Sequence, residues 1–136
     1  MLSTTTKEGD RVPSLAQRAY VENAVETATP AQRLLILLDR LEANLVALGD
    51  AFRVRDLEAI HVNAKAAQAA LALLRGALRE DVWEHAATIA TLYTWALERL
   101  VRANVDKDPA PYEEARSVLE PLIAAWRHAA MEVSHE

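Results

Sequence analysis

The apolar residues of this chain fall into four stripes whose steps alternate mainly between three and four positions. Leu34, Leu38, Leu41, Leu45, Leu48 and Phe52 make the first, and Leu57, Ile60, Ala64, Ala67, Leu71, Leu74 and Leu78 the second. Val82, Ala86, Ile89, Tyr93, Ala96, Leu100 and Ala103 make the third, and Ala115, Leu119, Leu122, Trp126, Ala129 and Val133 the fourth. This spacing stacks side chains on one face of an α-helix. Four seams of similar length with short connections predict an all-α fold, an antiparallel up-down-up-down four-helix bundle.

The polar positions between the stripes supply starts and stops. Thr29 with Gln32 three residues on fits a reciprocal capping box, and Pro30 falls where a first-turn residue needs no N–H. Ser14 with Gln17 repeats the pattern, so a short extra helix is expected over 14–28, behind a polar, aperiodic tail at 1–13. Residues 29–134 then form the bundle. Asp56 is placed as an N-cap, "REDVWEH" (79–85) reads as a turn region, and Asp108-Pro109 marks the fourth start. Gly49 weakens the first helix slightly, and Pro121 predicts a kink near 117–121.

The pattern also carries more apolar surface than the seams use. In "YVENAVETATPAQRLLILLDRL" (20–41) five apolar residues follow Arg33 without a break, and Leu35 and Ile36 lie off the seam. Trp95 sits two residues from Tyr93, about 200° around the helix, and so is expected to face outward. Leu92 and Val101 add to the excess, which needs either a partner or a lid. An alanine-rich flank (Ala66, Ala69, Ala70, Ala72) suggests close approach of a neighbouring helix.

Composition narrows the functional classes. The 136 residues are 51% apolar but only 5% aromatic, which favours helices over sheets. A formal charge of −5 and the absence of a basic block argue against nucleic acid as partner. Without cysteine there is no disulfide or thiolate metal site. No apolar run is long enough to insert in a membrane and no secretion leader is visible, so the cytoplasm is the expected compartment.

The strongest enzymatic lure is a pair of Glu-x-x-His motifs, Glu58–His61 and Glu132–His135. In an antiparallel bundle these fall at opposite ends, roughly 30 Å apart for helices of this length, so no di-metal site is expected. Asp39, the one carboxylate within the apolar part of the first helix, is read as a hydrogen-bonded residue at the bundle edge. No catalytic, metal-binding or cofactor-binding residues are assigned.

Two longer motifs resemble those of the flagellar export chaperone family FliS. "AYVENAVETATPAQRLLILLDRL" is similar to the family's A-Y-x-x-N-x-V-x-T-A-[ST]-P followed by a Leu-rich helix, matching at Tyr20, Asn23, Val25, Thr27, Ala28, Thr29, Pro30, Leu37 and Asp39. "LYTWALERLVRANVDKDP" is similar to a second family motif at Leu92, Tyr93, Trp95, Arg99, Leu100, Ala103, Asn104 and Asp108. Leu38, Arg40 and Thr94 depart from the usual residues, and "WEHAA" stands where the family has a Gly-Gly loop.

The resemblance implies a non-enzymatic cytoplasmic chaperone. Its client would be the disordered C-terminal segment of flagellin, kept from polymerising and presented to the export apparatus, with an export-gate component as a second partner. It also implies that residues 14–28 act as a movable cap. Tyr20, Asn23, Val25, Leu35, Ile36, Leu92, Trp95 and Val101 are the partner-binding candidates. A monomer and a weak homodimer are both compatible with the sequence. The alternative is a helical interaction or regulatory module for a different partner.

Overall fold

The computed structural model describes residues 29–78 and 84–134, so the short helix expected over 14–28 lies outside the described residues. Among the described residues all regular structure is helical: α1 (Pro30–Arg53), α2 (Leu57–Gly76), α3 (Ala86–Asp106) and α4 (Pro109–Ser134). α1 packs on α2 and α4, and α3 packs on the same two, which closes the four helices into a bundle.

The ends of the helices follow local chemistry. Thr29 is extended, its hydroxyl accepts from the Gln32 amide at 3.1 Å, and the Gln32 side chain accepts from the Thr29 amide at 3.0 Å. Two orphan donors at the start of α1 are thereby satisfied. The Asp56 carboxylate accepts from the Ala59 amide at 3.1 Å and starts α2. Both short linkers, 54–56 and 107–108, contain a non-glycine residue in the left-handed region, Arg55 at φ 55° and Lys107 at φ 52°. The two linkers meet, because the Arg55 guanidinium donates to the Lys107 carbonyl at 2.9 Å. α4 runs through Pro121 without a break in its helical assignment. The proline is exposed, so the carbonyl its ring deprives of a donor faces the solvent side.

The core holds the predicted seams with three adjustments, Val82 and the Val133 side chain lying outside what is described. Leu38, Leu41, Leu45 and Leu48 are almost completely buried, as are Ile60, Ala64, Ala67, Leu71, Ala96, Leu100, Ala103, Ala115 and Leu119. Leu57, assigned to the second seam, is instead exposed, because it is the first residue of α2 and has no preceding turn to pack beside. On α4 the buried stripe is Tyr112, Ala115, Leu119, Ile123 and Ala130, and Ala129 is exposed. A strict three–four alternation repeats every 3.5 residues, whereas a straight helix turns once every 3.6 and drifts about 20° per heptad, enough to hand the seam to the next residue after three turns. The third adjustment is Trp95, which is half-buried and packs on the core rather than facing outward. Its broad indole reaches from the flank of α3 back to core side chains.

Tyr112 and Gly49 explain one another. The Tyr112 hydroxyl, buried between α4 and α1, donates to the Leu45 carbonyl at 2.7 Å, and its ring tilts against Phe52 with centroids 5.7 Å apart. A Cβ on Gly49 would stand 2.5 Å from that hydroxyl oxygen, inside van der Waals contact. Gly49 is therefore a space requirement set by α4 rather than a weak point of α1. Gly49→Ala, which in an open helix would gain about 1 kcal/mol of propensity, is expected here to lower stability by about 1–3 kcal/mol in urea unfolding. Gly76→Ala, where an added Cβ meets nothing within 4 Å, is expected to be neutral or slightly stabilising. Equal effects at the two glycines would show that Tyr112 does not set the constraint.

Candidate functional site

Three features lie outside the core. The first is an apolar groove of about 610 Å³ at the Pro30 end of α1, walled by Leu34 and Leu37 on one side and by Trp126, Ala129 and Ala130 of α4 on the other. Ala77, just past α2, closes it, and Arg33 stands on its rim. Pro30, the first residue of α1, also lines the groove.

The second is the outer face of α2. Val62 and Leu73 are exposed, Ala69 is exposed and Ala66 half-buried. At 100° per residue these four positions fall within about 60° of one another and face away from Ile60, Ala64, Ala67 and Leu71. The alanine-rich flank expected to bring a helix close thus divides: Ala70 enters the core, whereas Ala69 and Ala72 face solvent. The third is Val101 and Val105 on α3, which are 40% and 70% exposed. His61 of α2 and Asn104 of α3 touch, with ring nitrogen and amide nitrogen 3.1 Å apart, so Val62 and Val105 each lie one residue beyond a contact between the two helices.

Asn104 is the buried polar residue of the core. Its side-chain oxygen accepts from the Lys107 ammonium at 2.8 Å, and its backbone carbonyl accepts from the same group at 2.7 Å. With that oxygen engaged, the amide nitrogen is the group that faces His61 Nδ1, at 3.1 Å. His61 therefore braces the end of the bundle. Among the described residues no group of three His, Asp or Glu side chains gathers to hold a metal ion, and His135 lies outside them.

Arg127 on α4 spans to α1. One of its guanidinium nitrogens is 2.9 Å from Asp39 and 2.7 Å from Glu42. The Glu42 hydrogen bond is the larger cause holding the Arg127 guanidinium above its ordinary pKa. Asp39 is thus a hydrogen-bonded carboxylate at the bundle edge, as expected from its place in the sequence. Nearby, burial pushes the Tyr93 phenol up to about 12, against a smaller lowering by the Trp126 indole.

The family model for flagellar protein FliS matches residues 13–133 of this chain. The chain belongs to the FliS family. A FliS relative, the flagellar secretion chaperone FliS of Bacillus subtilis (strain 168), is 28% identical over 111 residues, covering 82% of this chain and 83% of that protein. The FliS-like motif residues Asp39, Tyr93, Arg99 and Asn104 take part in interhelical contacts or core packing: Arg99, for example, pairs with Glu114 of α4 at 3.3 Å. No helix among the described residues of this FliS-family chain is long and apolar enough to cross a membrane.

The partner-binding candidates divide by location. Tyr20, Asn23 and Val25 lie outside the described residues. Leu35 and Ile36 are half-buried on α1 beside the groove wall, and Leu37 packs on the core and lines the groove. Leu92 and Trp95 are half-buried on α3, and Val101 is exposed. The outer stripe of α2 escaped the sequence reading because small alanines separate its two larger residues. The signal was present in the spacing of Val62, Ala66, Ala69 and Leu73.

The raised Tyr93 pKa has a pH consequence. The folded state holds this proton more tightly than the unfolded chain, whose phenol titrates near 10. The contribution is fully present below pH 10 and is lost as pH rises through about 12. Compared with Tyr93→Phe, the wild-type chain is expected to lose up to about 2–3 kcal/mol more stability across that window in urea unfolding. Parallel profiles for the two proteins would place the phenol in contact with solvent.

Proposed function

We propose that this chain is a flagellar secretion chaperone whose client is the disordered C-terminal segment of flagellin. In the cytoplasm it would keep that segment from polymerising and aid its delivery to the flagellar export apparatus. The observation that carries the reading is apolar surface left outside the core of a FliS-family bundle: the groove between α1 and α4, the outer stripe of α2, and Val101 and Val105 on α3. The name of the Bacillus relative supports the same role.

Such surface suits amphipathic helical segments, whose apolar face enters a groove through residues three and four apart. A disordered client loses chain entropy as it binds, so it needs several separated seats to reach useful affinity. In this reading the helices run up, down, up, down. The proximity of Tyr112 to Leu45 and of Arg127 to Asp39 and Glu42 supports opposite directions for α1 and α4. Residues 14–28 form a cap hinged at Thr29-Pro30, with Tyr20, Asn23 and Val25 covering apolar surface until the client displaces them. Leu35, Ile36, Leu92, Trp95 and Val101 contribute to the client-binding surface, and the protein acts by binding rather than by catalysis.

Calorimetry of the full chain with a flagellin C-terminal fragment tests this. Binding at micromolar concentrations is expected, weakened at least about tenfold by Val101→Asp, which buries a charge in the contact. Because Val101 is already exposed, thermal stability should be little changed. A stable homodimer that buries these residues and has no affinity for flagellin would overturn the proposal.

A further inference from the structure

The geometry points to Arg127 as the positioning residue of the apolar groove, a brace that fixes the spacing of its two walls. This inference rests on the chaperone reading only for what enters the groove. Leu34 and Leu37 belong to α1, and Trp126, Ala129 and Ala130 to α4. The guanidinium crosses between the same helices: Arg127 follows the groove residue Trp126 in α4, and its acceptor Asp39 lies two residues beyond Leu37 in α1. Beyond it, residues 30–37 of α1 and 129–134 of α4 carry the wall residues Leu34, Leu37, Ala129 and Ala130. At the far end of α1, Tyr112 holds the pair through the Leu45 carbonyl. Arg127 therefore ties the two helices next to the residues that wall the groove.

Its chemistry fits a spacing role. Asp39 and Glu42 lie one turn apart on α1, so without Arg127 two like charges would face α4 with no cation between them. Arg127 is less exposed than either partner, 29% against 72% and 50%, so the cation is anchored on α4 while the carboxylates sit toward water. A fork of this kind sets geometry more than it adds stability, because each pair is partly screened by solvent. Guanidinium suits the task, since its planar donors can serve two acceptors in fixed directions, which an ammonium on a flexible stem does not do.

Hydrogen exchange on the full, unliganded chain tests the brace, with Arg127→Gln and, separately, the double variant Asp39→Asn/Glu42→Gln. Both should speed exchange at amides 34–38 and 127–131 and leave 45–52 and 112–116 unchanged, with thermal stability nearly intact. Each should also weaken a flagellin C-terminal fragment by about threefold in calorimetry, and combining all three substitutions should cost no more than either alone. Unchanged exchange at both walls, or faster exchange across the whole bundle, would overturn the inference. So would retained affinity despite loosened walls. If the wild-type chain binds no flagellin fragment, the chaperone reading fails, and the exchange result still decides whether Arg127 braces the groove.

Discussion

A helix can turn only one stripe of its surface toward its neighbours, and this bundle is organised by how that stripe is filled. α1 must satisfy both α2 and α4. Leu38, Leu41, Leu45 and Leu48 do so almost without residual exposure. With Ala51 and Phe52 they fill the inward face, and the remaining apolar residues of α1 lie at its edge or beyond it. Leu34 and Leu37 fall at its edge and become a groove wall, and Leu35 and Ile36 lie beyond it. The same limit acts on α2, where Ile60, Ala64, Ala67 and Leu71 fill the inward face and leave Val62 and Leu73 outside. Surface available for binding is a geometric remainder of core formation.

The two ends of the bundle are built differently. Near the 54–56 and 107–108 linkers, polar contacts accumulate: Arg55 on the Lys107 carbonyl, Lys107 on Asn104, and Asn104 on His61. Tyr112 adds a buried bond into α1 through the space that Gly49 leaves. These ties fix backbone that would otherwise be strained, since Arg55 and Lys107 both hold left-handed conformations that cost about 1 kcal/mol or more without glycine. At the Pro30 end the walls of an open groove are spanned by a partly exposed ion-pair fork. The two ends thus differ in chemistry, with buried and backbone-directed hydrogen bonds at one and a partly exposed ion-pair fork at the other.

Much of this was legible in the chain itself. The Thr29–Gln32 box and the Asp56 cap formed as the side chains dictate, because capping is decided within one turn. Leu38, Leu41, Leu45, Leu48, Leu71, Leu100 and Leu119 went inward as their spacing requires, whereas Leu57 at the first position of α2 did not. Asp39 was recognisable as an edge residue, but its partner lies 88 positions along the chain and has no local signal. Glu58–His61 has metal-ligand spacing that its place in the bundle already argued against, but the contact of the imidazole with Asn104 of α3 has no local signal. Trp95 was misjudged because helical angle alone ignores the reach of a large ring.

The sequence by itself determined the four helices among the described residues, the caps at Thr29 and Asp56, most of the inner stripe and the existence of surplus apolar surface, since all of these depend on neighbours within a few residues. The tertiary structure decided what those residues are for. It made Gly49 a clearance for Tyr112, moved the α4 seam from Ala129 to Ala130, turned the outer stripe of α2 to solvent, and brought Arg127 to Asp39 and Glu42. Each depends on which helix lies beside which and at what rotation. That is a property of the whole packed set, and no single stretch of chain encodes it.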